Sequence, residues 1–324
     1  MMAPLASPTR GSPTLSVPRH APSATPLGVV ASMGEANGVG PATGPVRQDL
    51  LVDGKVVRAS YNLGCQERFV HVTAVTPDAQ GERQRFIVGA RPTVLDRNGE
   101  WGATLSLLDT LIPVPAQSPV LVSGDAGVCV EEHGAWLYVQ NIFYLFRIKA
   151  NAGHLFDRVI DWAETARARR PDGDFFEATR VSGAAIHSRR LWRLPGLRFA
   201  SFPGITEAFV VEKKSAEASA VPELQYYITS YPRVAWRASD ILERILLHWD
   251  TETGVFGVKD GTFDEDAVRY KYLEGAMAHV VLLNTVMNCL WAPVLAAWWL
   301  PNTPLAHRIQ FLRDHPDYCP IQPP

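Results

Sequence analysis

"DLLVDGKVVRAS", residues 49–60, is a short run of aliphatic and β-branched residues with Asp53 in its middle. Its composition reads as a strand, and the next two segments of the chain decide the sheet that it joins. "ERFVHVTAVTP" (67–77) lies beyond the turn-rich "YNLGCQ", and "RQRFIVGA" (83–90) comes next, so three consecutive strands predict a meander. Then the period changes. "EWGATLSLLDTLI" (100–112) has leucines at 105, 108 and 111, a helical spacing, and "PVLVSGDAGV" (119–128) is an apolar strand run ending in a glycine turn. "AWLYVQNIFYLFRIKAN" (135–151) ends in another apolar strand, and "HLFDRVIDWAETARARR" (154–170) is an amphipathic helix stopped by Pro171. Residues 174–232 read as strands again, with "AFVVEKK" and "LQYYITSYP" flanking a polar loop. From Ser239, the expected N-cap, "SDILERILLHWDTE" is helical, and a long apolar helix covers roughly 266–300. The alternation predicts an α/β core built on a mixed sheet.

Composition bounds what this core can do. At 324 residues and 47% hydrophobic, the chain can bury one large core or two smaller ones. A net charge of -2 excludes a uniformly basic nucleic-acid coat, so any DNA contact is regional. Cys65, Cys129, Cys289 and Cys319 are widely spaced with no CxxC, which suggests neither a zinc site nor a disulfide framework and fits a reducing, cytoplasmic setting. Residues 1–48 are rich in Pro, Ser and Gly with no helical or strand period and no secretory-signal pattern, and are expected to be a disordered tail. The proline-punctuated end, 301–324, is expected to fray, leaving 49–300 as the folded domain. Residues 280–300 carry no charged side chain and are long enough to cross a bilayer, but Asn284, Asn288 and Pro293 interrupt them, which favours a buried helix over a membrane anchor.

Three acids stand where elements end or meet. Asp53 sits in the first strand, Asp125 follows the run "PVLVSG", and Glu252 lies on the helix that begins near 240. Adjacent strand ends and a helix packed across them can bring such carboxylates together, and a cluster of that kind binds hard divalent ions for phosphoryl transfer. Each acid also has a plain structural reading: Asp53-Gly54 as a hairpin turn, Asp125 as a turn residue, and Glu252 as a solvated helix charge.

The order of the motifs resembles the DDE transposases of bacterial insertion sequences, in particular the ISAs-type, H-repeat-associated group. "LVDGKVVRAS" resembles that family's first-strand motif, "SGDAGVC" its Asp-Ala-x-x-Cys, and "YLFRIKANAGHL" its Lys-Gly-Asn segment with Ala150 in place of glycine. "LQYYITS" resembles the strand before the catalytic helix, and "HWDTETGVFGVKDGTFDED" (248–266) the motif that carries the third acid. The resemblance implies an RNase H-like mixed sheet flanked by helices, with a β-rich insertion at about 174–232 before the helix that bears Glu252. It further implies Asp53, Asp125 and Glu252 as catalytic residues and ligands of two Mg2+ ions, with Mn2+ as a substitute, and Cys129 as a motif position rather than a redox centre. Double-stranded DNA, as transposon ends and target, is the implied partner of a homodimer that uses no small-molecule cofactor. Departures are present: Thr251 and Thr253 flank the third acid, "GAAIHSR" keeps only Ile186 and Arg189 of its motif, and the usual helical N-terminal region is missing. They motivate a second reading, a relative that binds DNA without cutting it; a membrane-anchored protein is the third.

Candidate DNA contacts come from the same stretches. Lys149 and Asn151 belong to the Lys-Gly-Asn-like segment. "TRVSGAAIHSRRLWRLPGLR" gathers Arg180, Arg189, Arg190, Arg193 and Arg198 around Trp192 with no acidic residue among them, where guanidinium groups can grip phosphate and indole can stack on a base. A solvated β-face has the same composition. On a continuous helix, residues 248, 252 and 259 share a face, which places His248 and Lys259 beside Glu252 as phosphate contacts. Alternatively His248 and Trp249 pack inside and Lys259 lies in a loop, because Gly254 and Gly257 each cost a helix about 1 kcal/mol.

Overall fold

The computed structural model describes residues 46, 48–57, 67–77, 83–96, 99–112, 119–169, 175–182, 185–194, 202–214, 221–270, 272–291 and 310. The expected tails therefore lie almost wholly outside the described residues, as do Arg198, the side chain of Arg180 and residues 292–300 of the long helix.

Strands β1 (Gln48–Val57), β2 (Glu67–Pro77) and β3 (Arg83–Pro92) form the expected antiparallel meander. Helix α1 (Glu100–Leu111) leads to β4 (Val120–Gly124), which pairs parallel to β1 on the side away from β2. Helix α2 (Glu131–Val139) then leads to β5 (Phe143–Ile148), parallel to β4. After α3 (His154–Arg169), the strands β6 (Phe175–Ser182), β7 (Ala185–Leu194), β8 (Glu207–Lys214) and β9 (Glu223–Thr229) form a second antiparallel meander. Its last strand pairs antiparallel with β5. The result is one nine-stranded sheet in the order β3-β2-β1-β4-β5-β9-β8-β7-β6. The β-rich stretch expected at 174–232 thus continues the central sheet rather than forming a layer of its own. This is the α/β, RNase H-like arrangement of a mixed sheet flanked by helices.

The central strands are apolar on both faces because helices cover both. Leu50, Val52, Val122, Tyr144 and Phe146 point to the side packed by α1, α2 and α3. On the other face, Leu121, Leu145, Phe209 and Val211 meet Ile241, Leu242 and Ile245 of α4 (Ala238–Thr251). Burying each such aliphatic side chain stabilises the fold by about 1.5–3 kcal/mol, so the stripe at 241, 242 and 245 suffices to fix how α4 lies on the sheet. Arg244 adds an ion pair at 3.0 Å to Asp49 of β1.

One local expectation is corrected and one element is added. Residues 131–139, unassigned in sequence ahead of the expected apolar strand, are a helix; it stops where Asn141 takes a positive φ of 58° and Ile142 N–H reaches back to Leu137 O at 2.9 Å. Ser239 is inside the first turn of α4 and not at its N-cap. Arg237 holds that position, and its N–H donates to Asp240 Oδ2 at 3.0 Å.

Helix α6 (Leu273–Trp291) is long and apolar enough to cross a bilayer. Here its Ala276, Val280 and Met287 pack against Val57, Phe69 and Ile87 of the sheet. Asn288, which interrupts the apolar run, binds the backbone of Ile87 in edge strand β3 through both amide atoms, each at 2.8 Å. An exposed strand edge is thereby closed.

Candidate active site

The β1–β4 register sets two of the acids side by side. Val52 lies opposite Gly124, so Asp53 and Asp125 are the next residues along two adjacent parallel strands. The carboxyl ends of parallel strands are where open α/β sheets place their ligands. Beyond Gly124 the chain turns at once: a Cβ on that glycine would lie 2.8 Å from Val128 Cβ. On the α4 face, Leu247 packs with Leu51 and Val75, and His248 Nδ1 lies 3.3 Å from Ser123 Oγ. Glu252 follows one turn later and is exposed.

Electrostatics tie the three together. The Asp53 carboxyl is pushed up to about 7, first by burial, then by the charge of Glu252, with Asp125 and Glu100 adding to it against the Gly54 N–H at 2.8 Å. Burial also pushes Asp125 up, but the Ala126 N–H, Lys149 at 3.2 Å and Arg147 at 3.7 Å outweigh it and hold its carboxyl below the usual range. Asn151 Nδ2 donates to Ala126 O at 2.9 Å and so braces the same turn. Lys149 and Asn151 are thereby brought to the acidic site. Arg147 was missed by the sequence reading, although its position two residues before Lys149 on one strand was a usable signal.

The third-acid motif does not break the helix. After α4 comes a single π turn, Glu252–Phe256, and then α5 (Gly257–Gly261). A π turn inserts a residue and frees a carbonyl. Arg85 Nη1 takes the Asp250 carbonyl at 3.3 Å, and Gly254 leaves room for it, since a Cβ there would lie 2.7 Å from that nitrogen. The inserted residue rotates Lys259 away from Glu252, so the expected shared face of 248, 252 and 259 is not formed. Lys259 is fully buried, 3.9 Å from Glu265, and burial pushes its ammonium down to about 8. Lys55 bonds both Asp260, at 2.5 Å, and Glu265. The Asp-Gly-Lys motif and the Asp…Phe-x-Glu motif are therefore two halves of one ion knot, buried at Lys55, Lys259 and Glu265 and open to solvent at Asp260.

The arginine-rich strand divides in the same way. Arg193 is buried: it pairs with Glu207 at 2.7 and 2.6 Å and donates to the carbonyls of Trp236 and Arg233, both at 3.0 Å. Arg190 is held by Glu177 at 3.1 Å. Trp192, expected to stack on a base, is instead a core side chain against Phe175. Trp249 gathers cations: Arg147 and Arg189 at 5.8 Å and Lys213 at 5.2 Å surround its ring, while its Nε1 donates to Tyr227 OH at 3.2 Å. His248 is pushed down to about 4, chiefly by burial, and is neutral at pH 7. Cys129 is a packed thiol that burial pushes up to about 12.

The donor chemistry fits a hard divalent cation. Asp53 and Asp125 stand at adjacent strand ends, and beside burial, the larger cause, the charge of Glu252 helps to hold Asp53 near 7, a repulsion that a cation relieves. Among the described residues, however, no three His, Cys, Asp or Glu side chains close round one point. Lys149 and Arg147 draw Asp125 aside, and Glu252 faces solvent.

A stability test arises from Asp53. Its folded value lies above the ordinary carboxylate range, so its contribution is complete below about pH 4 and lost as the pH rises through 7. Thermal melts of Asp53→Asn in chelator should match wild type near pH 4 and exceed it at pH 8 by on the order of 2 kcal/mol. Added Mg2+ should then raise the melting temperature of wild type and leave the variant unmoved.

A family model for the transposase DDE domain matches residues 44–289 of the chain. No curated protein matches it.

Proposed function

The chain belongs to the transposase DDE domain family, and on that premise we propose that it cuts DNA at transposon ends and joins them to target DNA, using Asp53, Asp125 and Glu252. The observation that carries the reading is the β1–β4 register, which sets Asp53 beside Asp125 at adjacent strand ends, with Glu252 near enough for its charge to help burial push the Asp53 carboxyl up. As in the family generally, a divalent metal serves the reaction. Asp53, Asp125 and Glu252 would hold a pair of Mg2+ ions, which supply Lewis-acid polarisation of the phosphate and a more acidic attacking hydroxyl.

The chain's own groups then do the positioning. An oxygen of water attacks the scissile phosphorus and the P–O3′ bond breaks, leaving a 3′-hydroxyl; that hydroxyl attacks a target phosphorus in the second step, displacing its 3′-oxygen. Lys149 and Arg147 put positive charge beside Asp125, where a phosphate carries developing negative charge. Asn151 keeps the Asp125 turn in place. Arg147 of β5, Lys213 of β8 and Arg189 of β7 gather at Trp249, with Glu223 of β9 3.7 Å from the first two, and Arg189 is the arginine of the basic strand we assign to the DNA backbone. Two transposon ends and one acidic site per chain favour a pair of chains on DNA.

DNA contact has its own measurement. Lys149→Ala should weaken binding to any duplex and reduce the slope of log affinity against log salt by about 1. Arg190→Ala, whose guanidinium already serves Glu177, should leave the slope unchanged. The competing reading, a relative that binds but does not cut, is favoured by Thr251 and Thr253 beside Glu252. A strand-transfer assay in Mg2+ or Mn2+ decides: joined product from wild type and none from Glu252→Gln supports the enzyme, and no product from either supports the relic.

A further inference from the structure

Alternate residues of β1 face one continuous helix. Asp49 pairs with Arg244 at 3.0 Å, Leu51 packs with Leu247, the charge of Glu252 bears on Asp53, and Lys55 bonds Asp260 at 2.5 Å. From Ala238 to Gly261 the helix runs unbroken through the π turn. The strand from Asp49 to Lys55 spans about 20 Å and the helix from Arg244 to Asp260 about 24 Å, so the two run side by side. Direction is harder to match than length. On a regular helix Asp260 would point about 160° away from Arg244, off the sheet; the residue taken up by the π turn brings it back to about 60°. The turn that begins at Glu252 is therefore what lets the helix meet Lys55.

We propose that Lys55 is a positioning residue of the acidic site: by tying the far side of the π turn to β1, it sets Glu252 against Asp53. The inference rests on the assignment of Asp53 and Glu252 to that site. Lys55 follows Asp53 by two residues on the same face of the strand, so whatever it holds is held in register with Asp53. It bonds Asp260 and Glu265, and its ammonium lies 5.8 Å from the centre of the Phe256 ring, the last residue of the turn. That ring rests in turn on His71, 5.3 Å away, which is the β2 residue directly opposite Asp53. Before the turn, Leu247 and His248 fix α4 to the sheet. Glu252 is exposed, so its place is set by these two anchored ends.

The test reads turnover and the titration of Asp53 separately, in the full-length protein. Lys55→Met should lower strand transfer per folded molecule at saturating DNA by about 100-fold, the cost of a misplacement of about 1 Å, and keep the wild-type DNA affinity. Asp260→Asn, which gives up only the half-exposed arm of the tether, should melt close to wild type and show a smaller loss of the same kind. The second readout needs neither metal nor DNA: the pH at which Asp53 titrates, taken in chelator from the melting temperature of each protein against its Asp53→Asn counterpart. Glu252→Gln should lower that pH in an otherwise wild-type chain and lower it by less in Lys55→Met, because Glu252 has then left Asp53. An equal shift in both backgrounds, or a Lys55→Met protein that loses melting temperature yet turns over like wild type, makes Lys55 a stabiliser of the core alone and overturns the proposal. If wild type gives no joined product, the catalytic reading falls, and the Asp53 comparison still decides whether Lys55 holds Glu252 in place. If Lys55→Met does not fold, Asp260→Asn carries both readouts.

Discussion

Glu252→Gln is expected to reduce DNA strand transfer by roughly 10³-fold or more while the protein melts at the wild-type temperature near pH 4. The size follows from the several kcal/mol that a correctly held divalent pair contributes to a phosphoryl-transfer transition state, at about 1.4 kcal/mol per factor of ten. The unchanged melt follows from exposure: the Glu252 side chain faces solvent and glutamine has its shape, so no buried contact is lost. A third readout separates a chemical role from mere proximity. Glu252 is the largest charge acting on Asp53, so its neutralisation should bring the Asp53 carboxyl down from about 7 toward its ordinary range. Burial, the larger cause, remains, so only part of the stability that wild type loses between about pH 4 and 7 should be retained in Glu252→Gln. Asp53→Asn and Asp125→Asn should also abolish product. Full strand transfer by any of the three substituted proteins would remove that residue from the proposed site.

The parts legible in sequence are those governed by local pattern. The β-branched runs at 49–57, 67–77 and 83–90 specify strands because their side chains suit a pleated surface, buried on both faces in the first two and partly exposed in the edge strand, and the stripe at 241, 242 and 245 specifies the face of α4. The features that escaped depend on partners remote in sequence. Nothing near residue 254 announces a π turn; its glycine reads as a helix breaker until Arg85, on another strand, is seen to need the space. Lys259 reads as a phosphate contact or a loop residue until Glu265 and Lys55 are found around it. Glu100 reads as an ordinary first-turn acid, and only the missing Cβ at Gly54 brings it to the acidic site. The polar knots that join motif to motif are therefore where sequence reasoning failed, and they lie within a short distance of the proposed chemistry.

Arg193 makes the same point with the largest expected effect on stability. In sequence it belongs to a basic strand without acids; in the fold it is almost wholly enclosed, with Glu207 fully buried beside it. Two charges removed from water are held by a bidentate pair and two backbone carbonyls, a well-satisfied geometry for a buried guanidinium. Removing Arg193 leaves the buried Glu207 charge only the distant Arg233, at 3.8 Å, and breaking a buried pair in this way costs about 3–5 kcal/mol, far more than a surface pair. Arg193→Met should therefore lower the melting temperature sharply at pH 7. The simultaneous change Arg193→Met with Glu207→Gln should recover part of the loss, since no net charge is then stranded. DNA affinity of the fraction that remains folded should keep the wild-type salt slope. A variant that melts normally but binds DNA with a slope reduced by about 1 would instead return Arg193 to the DNA surface.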